Sequence, residues 1–206
     1  RLGKPVEDFG PMGPRVREFF GLGVVDLLAH RKFVQRELYP GIMHFAIFWG
    51  FMILLLATTV AAIEFNVEKY LGREFPTVEY RVGLGFTWDI FGGVLATIGL
   101  AMAAFRRYVI RPSRLHSYSD NAIVLGYLGL ILFTGFLIEG ARIGATELNP
   151  ADARFYDPDV AIWSPVGWVF AKGLDGLGFT ASSMRNLQEV MWWTHAAICT
   201  AGFGYI

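Results

Sequence analysis

Residues 39–63 read YPGIMHFAIFWGFMILLLATTVAAI, an apolar run closed by Glu37 on one side and Glu64 on the other with no charge between them. At about 1.5 Å rise per residue, a helix of this run crosses the roughly 30 Å hydrocarbon core of a bilayer. Only His44 interrupts it. An imidazole in hydrocarbon must find a partner, so the run constrains both the fold and the search for function.

The rest of the chain follows the same pattern. Its residues are 54% hydrophobic and 17% charged, and the apolar ones stand in long blocks, which makes it a membrane protein by class. Net charge is zero, so no global basic signal points to nucleic acid. The single cysteine, Cys199, excludes an intrachain disulfide and any iron–sulfur or zinc site built from this chain's thiolates alone.

Four spans are expected: 38–63, 82–105, 121–140, and a fourth opening near Leu187 and still running at Ile206. The expected fold is an all-α, polytopic transmembrane helical bundle. The start on Arg1 and the apolar end AGFGYI suggest further helices on either side. Residues 1–37 form an amphipathic surface segment and residues 38–206 the bundle. In the first segment Phe19, Phe20, Leu22, Val25, Leu28 and Phe33 can face the membrane, with Arg15, Arg17, Arg31, Lys32 and Arg36 among headgroups. His30 lies among those charges and reads as a solvated interfacial histidine. Gly83, Gly85, Gly92, Gly93, Ala96 and Gly99 are close-packing positions on the second span. Pro112 bars continuation of that helix. The stretch AIWSPVGWVFAKGLDGLGF carries Pro165, Lys172 and Asp175 and reads as a re-entrant or lying interfacial helix within an outer loop, 141–186.

Basic residues set the orientation. Arg31, Lys32 and Arg36 precede the first span, and Arg106, Arg107, Arg111 and Arg114 follow the second. By the positive-inside rule, residues 1–37 and 106–120 are cytoplasmic, and 64–81 and 141–186 lie outside. The four arginines are a topology signal first and a docking site for an electron-transfer partner or anionic lipid second.

Two histidines fall within spans, His44 and His195. Each has two readings. It is an axial ligand to haem iron, or it hydrogen-bonds a hydroxyl or carbonyl on a neighbouring helix. Their heights in the bilayer differ by roughly 10 Å at 1.5 Å per residue, so one haem does not join them. The partner of His44 is expected beyond Ile206; His116 has suitable sidedness but stands in the arginine-rich loop. At the outer ends of the spans stand Asp89, Glu139, Arg142 and Glu189. Glu139 and Arg142, three apart, can pair on one helical face. The group reads either as solvated interface charges or as a quinone head-group and proton site, with Arg142 holding a haem propionate. Asp89 lies deepest. No HExxH, CxxC or phosphate loop after a strand supports a soluble enzyme site.

Three motifs carry a resemblance. RELYPGIMHFAIFWGF, RRYVIRPSRLHSYSDNAIVLGYLGLILFTGFLIEGARI and MWWTHAA resemble the membrane domain of heterodisulfide reductase-related iron–sulfur oxidoreductases. That domain is similar to the gamma, or cytochrome b, subunit of respiratory nitrate reductase. The resemblance implies a five-helix bundle in the inner (cytoplasmic) membrane with one or two b haems. It implies exchange of electrons with a quinone, commonly menaquinone. It also implies a cytoplasmic iron–sulfur module, fused or carried by a partner, that links to a thiol/disulfide or flavoprotein donor; the clusters lie outside this chain. By position His44 matches the ligand on the second family helix and His195 the first ligand on the fifth. The nitrate reductase pattern has a second histidine further along the first of these helices, where this chain has Leu54. The rival reading is a cofactor-free membrane anchor or small-solute transporter; the absence of an internal repeat weakens the transporter version.

Overall fold

A computed structural model describes residues 11–24, 28, 37–72, 85–113 and 119–205. Regular structure among them is helical throughout, as an all-α chain requires. His30, Arg31, Lys32, Arg36, Gly83, Arg114 and His116 lie outside the described residues.

The chain packs as two units, Arg1–Phe45 and Ala46–Ile206. In the first, helix α1 (Met12–Glu18) continues into a wider π turn, Phe19–Val24. Met12, Val16, Phe19 and Phe20 are exposed, and the two phenylalanine rings meet edge to face at 5.3 Å.

Helix α2 (Leu38–Leu71) opens in the first unit. Pro40 stands in its first turn, where the missing N–H has no helical partner to lose. The helix continues through the polar residues EFNVEKYL, which the sequence reading places in a connector. These are ordinary helix formers without a breaker until Gly72, whose φ of 60° ends the helix in the left-handed region. Polarity marks where the bilayer ends, not where the helix does.

In the second unit, helix α3 runs from Thr87 to Ile110: π-wound at Thr87–Val94, α-helical at Leu95–Phe105 and π-wound again at Arg106–Ile110. Arg111, left-handed at φ 47°, stops it one residue before Pro112. Its small residues are contact points. A Cβ on Gly50 would come within 2.6 Å of the Ala96 backbone nitrogen, and one on Gly99 within 2.8 Å of Ile47. Gly92 meets Leu54, and Gly93 meets the Phe136 ring. The close-packing role expected of span two therefore holds at Gly92, Gly93, Ala96 and Gly99.

Helix α4 (Ser119–Ala145) carries the two contacts that shape the far end of the unit. One is with α6 (Pro165–Gly176), the stretch expected to be a lying or re-entrant helix. Phe170 and Ala171 press on Gly140, and Ile143, Ala161 and Ala171 form a buried cluster walled by Leu148 and Trp168. Between α4 and α6 comes the one-turn helix α5 (Pro158–Ala161), capped by Asp157, which accepts from the amides of Asp159 and Val160. The other contact is with α7 (Ala181–Tyr205). Ala141, Ala145, Leu174 and Met184 are buried together, and the Tyr127 hydroxyl donates to the Ile198 carbonyl beside Gly202.

The link from α6 to α7 has clear stop and start signals. Gly178 has φ 87°; its amide bonds to the Asp175 carbonyl and that of Phe179 to the Leu174 carbonyl, with Phe179 packed on the Leu174 cluster. This is a Schellman ending. Thr180 then accepts from the Ser183 amide and caps α7. The last helix thus starts at Ala181, ahead of the expected opening near Leu187.

Three helical segments are long and apolar enough to cross a membrane: Leu38–Glu64, Thr87–Ile110 and Asp120–Ala145. The first three expected spans each fall on one of them. The chain is a membrane protein.

Candidate functional site

Asp89 sits in the π turn that opens α3 and is only 2% exposed. The sequence offers a reason for it at the start of α6. Ser164, in the cap position, makes no side-chain capping bond, and Pro165 has no N–H to satisfy. The first free amide is that of Val166, and it donates to Asp89 Oδ2 at 2.6 Å. A carboxylate 77 residues earlier in the chain therefore caps α6, where the helix dipole favours negative charge. Its second oxygen, Oδ1, is buried with no hydrogen-bond partner among the described residues.

Glu139 approaches the same helix start from α4. A Cβ on Gly167 would come within 2.8 Å of Glu139 Cγ, so only glycine lets the carboxylate lie along the backbone here. Ser164 is buried beneath Gly85, whose added Cβ would meet its hydroxyl at 2.9 Å. One turn along α4, Arg142 stands 4.0 Å from Glu139 but only 2.5 Å from Glu147. Glu147 is buried, and its other oxygen accepts from the Thr146 hydroxyl. Arg142 is thus engaged chiefly by Glu147 rather than by Glu139. The structure brings Asp89, Glu139 and Arg142 to the region where α3, α4 and α6 meet. Glu189 is exposed on α7 and makes no hydrogen bond or ion pair with them.

The two histidines expected within spans have different surroundings. His44, in the second turn of α2, is exposed, beside the buried Met43. His195 is half-buried on α7 against α4. Its Nδ1 lies 2.7 Å from the Thr134 hydroxyl and its Nε2 3.5 Å from Cys199 Sγ. Gly135 lies next to the ring; a Cβ there would stand 3.8 Å from His195 Cε1. The interhelical hydrogen bond that sequence alone allowed is present, and it occupies one nitrogen of the two.

Comparison with known proteins gives a consistent set of relatives. EtfAB:quinone oxidoreductase of Syntrophomonas wolfei is 35% identical over 170 residues, 80% of this chain and 22% of that protein. One subunit of the dihydromethanophenazine:CoB–CoM heterodisulfide reductase of Methanosarcina acetivorans is 32% identical over 122 residues, 59% of this chain and 46% of the relative. Its counterpart from Methanosarcina thermophila is 30% identical over 71% of this chain and 56% of its own length. The chain is a homologue of these oxidoreductase components. The resemblance read from its motifs holds. It spans about a fifth of the first relative and about half of the others. No family model and no solved structure matches it.

In this chain Arg106, Arg107 and Arg111 fall among the described residues. Arg107 has a buried Nη1 without a hydrogen-bond partner among the described residues, and Arg111 Nε donates to the Tyr108 carbonyl at 2.7 Å. Three residues at the two sites escaped the sequence reading: Glu147, Ser164 and Thr134. Glu147 had a local signal, since it stands five residues after Arg142 next to Thr146. Ser164 and Thr134 had none, because each acts on a residue far away in the chain.

Proposed function

We propose that this chain is a b-type haem domain that moves electrons between a cytoplasmic iron–sulfur module and the quinone pool of the inner membrane, with menaquinone as the quinone. His195 carries the proposal. It is a half-buried imidazole in a bundle of apolar helices, in a homologue of a quinone oxidoreductase and of heterodisulfide reductase subunits. The residues around it suit haem. The donor is an imidazole, Nδ1 is held by a hydroxyl, and Nε2 faces the weakly bonding thiol of Cys199 at 3.5 Å, a partner an iron ligand bond would replace. His44, exposed on its own helix, is the other proposed ligand and serves a haem separate from that of His195. Bound haem supplies one-electron exchange at a potential set by its ligands and their burial.

Quinone reduction also needs protons. Asp89, Glu139 and Arg142, with Glu189 at the outer end of the last span, are the proposed head-group and proton site. The buried, unpartnered oxygen of Asp89 supports this reading, since a polar atom without a partner in an apolar setting is costly unless it is used. Residues 1–37 and 106–120 are placed on the cytoplasmic side and 64–81 and 141–186 outside, by their charge. Arg106, Arg107, Arg111 and Arg114 then face the iron–sulfur partner and anionic lipid.

A cofactor-free anchor is the second reading, favoured by the Thr134–His195 hydrogen bond. A reduced-minus-oxidised spectrum of the intact protein in its membrane decides between them, with a pyridine haemochrome count per chain. Bands of b haem that weaken in His195→Ala and in His44→Ala are the expected result. A flat spectrum from folded, haem-supplied protein leaves the anchor.

A further inference from the structure

Hydroxyls in these helices follow one habit. Thr58, Thr59, Thr97, Thr194 and Thr200 each donate to the carbonyl four residues back, at 2.8 or 2.9 Å. Thr134 does the same, with its Oγ1 2.8 Å from the Leu130 carbonyl. A threonine hydroxyl has one proton, so that of Thr134 goes either to its own helix, where the Leu130 and Ile131 carbonyls lie at 2.8 and 3.1 Å, or to His195 Nδ1 at 2.7 Å. When it goes to the helix, oxygen lone pairs face Nδ1 and Nδ1 carries the ring proton. The two tautomers differ in the bonds they allow. With the proton on Nδ1, Thr134 makes two strong bonds and Nε2 keeps its lone pair toward the weak S–H donor of Cys199. With the proton on Nε2, Thr134 gives up its bond to Leu130 and the ring N–H is left with a thiol sulfur. The first arrangement has one more good hydrogen bond in a place where such bonds are costly to lose.

We infer that Thr134 is the positioning residue that fixes His195 in the Nδ1–H form and makes Nε2 the nitrogen presented to a metal. The inference rests on the haem reading for its purpose but not for its geometry. Thr134 is 6% exposed and lies next to Gly135, whose added Cβ would stand 3.8 Å from the ring, so adjacent positions of one helix set the ring's surroundings. An acceptor on Nδ1–H also raises the electron density of the ring, which stabilises the oxidised metal.

The test uses Thr134→Val, which keeps the shape and removes the acceptor, and Thr134→Ser, which keeps the acceptor. Optical redox titration of the intact protein is the readout. The expected result is an upward shift of one haem potential and on the order of tenfold weaker haem retention in Thr134→Val, with both restored in Thr134→Ser. An unshifted potential in a haem-loaded Thr134→Val overturns the inference while leaving the haem reading intact. Wild-type protein without haem overturns the haem reading itself. Nitrogen-15 NMR of the histidine rings in wild-type protein prepared without haem reads the tautomer directly and needs no variant to fold. A proton on Nδ1 of His195 is expected; a proton on Nε2 overturns the inference.

Discussion

At the scale of single residues, Asp89 shows how one side chain can do a structural and a chemical job with different atoms. Oδ2 replaces the cap that Ser164 does not provide, and Oδ1 is left over. The two jobs separate by substitution. Asp89→Ala removes the acceptor for the Val166 amide in a buried place. It should cost about 1–3 kcal/mol of stability, the range for a lost cap or an orphaned buried donor. Asp89→Asn keeps a carbonyl oxygen for that amide and should cost clearly less. Thermal unfolding of the purified protein in detergent ranks the two; equal losses would show that Oδ2 is not the cap. Asp89 itself was legible in the sequence because a charge inside an apolar run is rare and conspicuous. Its partner was not. Nothing local in SPVG announces that this helix start lacks its own cap and takes one from α3. Thr134 was invisible for the opposite reason: a threonine in a membrane helix ordinarily turns its hydroxyl onto its own backbone, and only the packing of α7 shows that its lone pairs have a second use.

At the scale of elements, hydropathy located the membrane helices well and their ends poorly. Burial in lipid needs an apolar run, so the runs mark 38–63, 82–105 and 121–140 close to the helical segments seen. Helix ends obey different physics. The α2 helix stops at Gly72 and α3 at Arg111, where backbone dihedrals turn left-handed, several residues beyond the expected ends of their spans. The π winding at both ends of α3 had no sequence signal, because the same side chains suit either winding. Gly92, Gly93 and Gly99 were legible as contact points on the second span, whereas Gly50, on the facing helix, was not. Gly50 faces backbone atoms of Ala96, which cannot swing aside. Gly50→Ala should therefore push α2 from α3 and destabilise by about 1–3 kcal/mol. Gly126→Ala, with open space around its Cβ position, should change stability little or raise it slightly through helix propensity. Parallel melts of the two variants check the pair; similar behaviour would mean that the α2–α3 contact is looser than described.

At the scale of the whole molecule, the relation to oxidoreductase components was legible in the three motifs, and the candidate polar groups stood out because few survive in so apolar a chain. Each of the survivors then asks for a reason. The proposed function separates two tasks along the chain: imidazoles to hold haem, and carboxylates at the α3–α4–α6 junction to exchange protons. If the proposed division is right, damage at one station should leave the other working. His195→Ala should remove haem bands. Asp89→Asn should leave haem content and spectrum unchanged but slow electron exchange between haem and added quinone. The slowing should be about 100-fold, the lower range for loss of a positioned acid or base. Stopped-flow absorbance at the haem band measures this step alone, in whichever direction it runs. A loss confined to that step assigns the cluster to quinone chemistry. An unchanged rate in a haem-loaded Asp89→Asn would make the carboxylate a helix cap only, and the quinone site would have to be sought on a different face of the bundle.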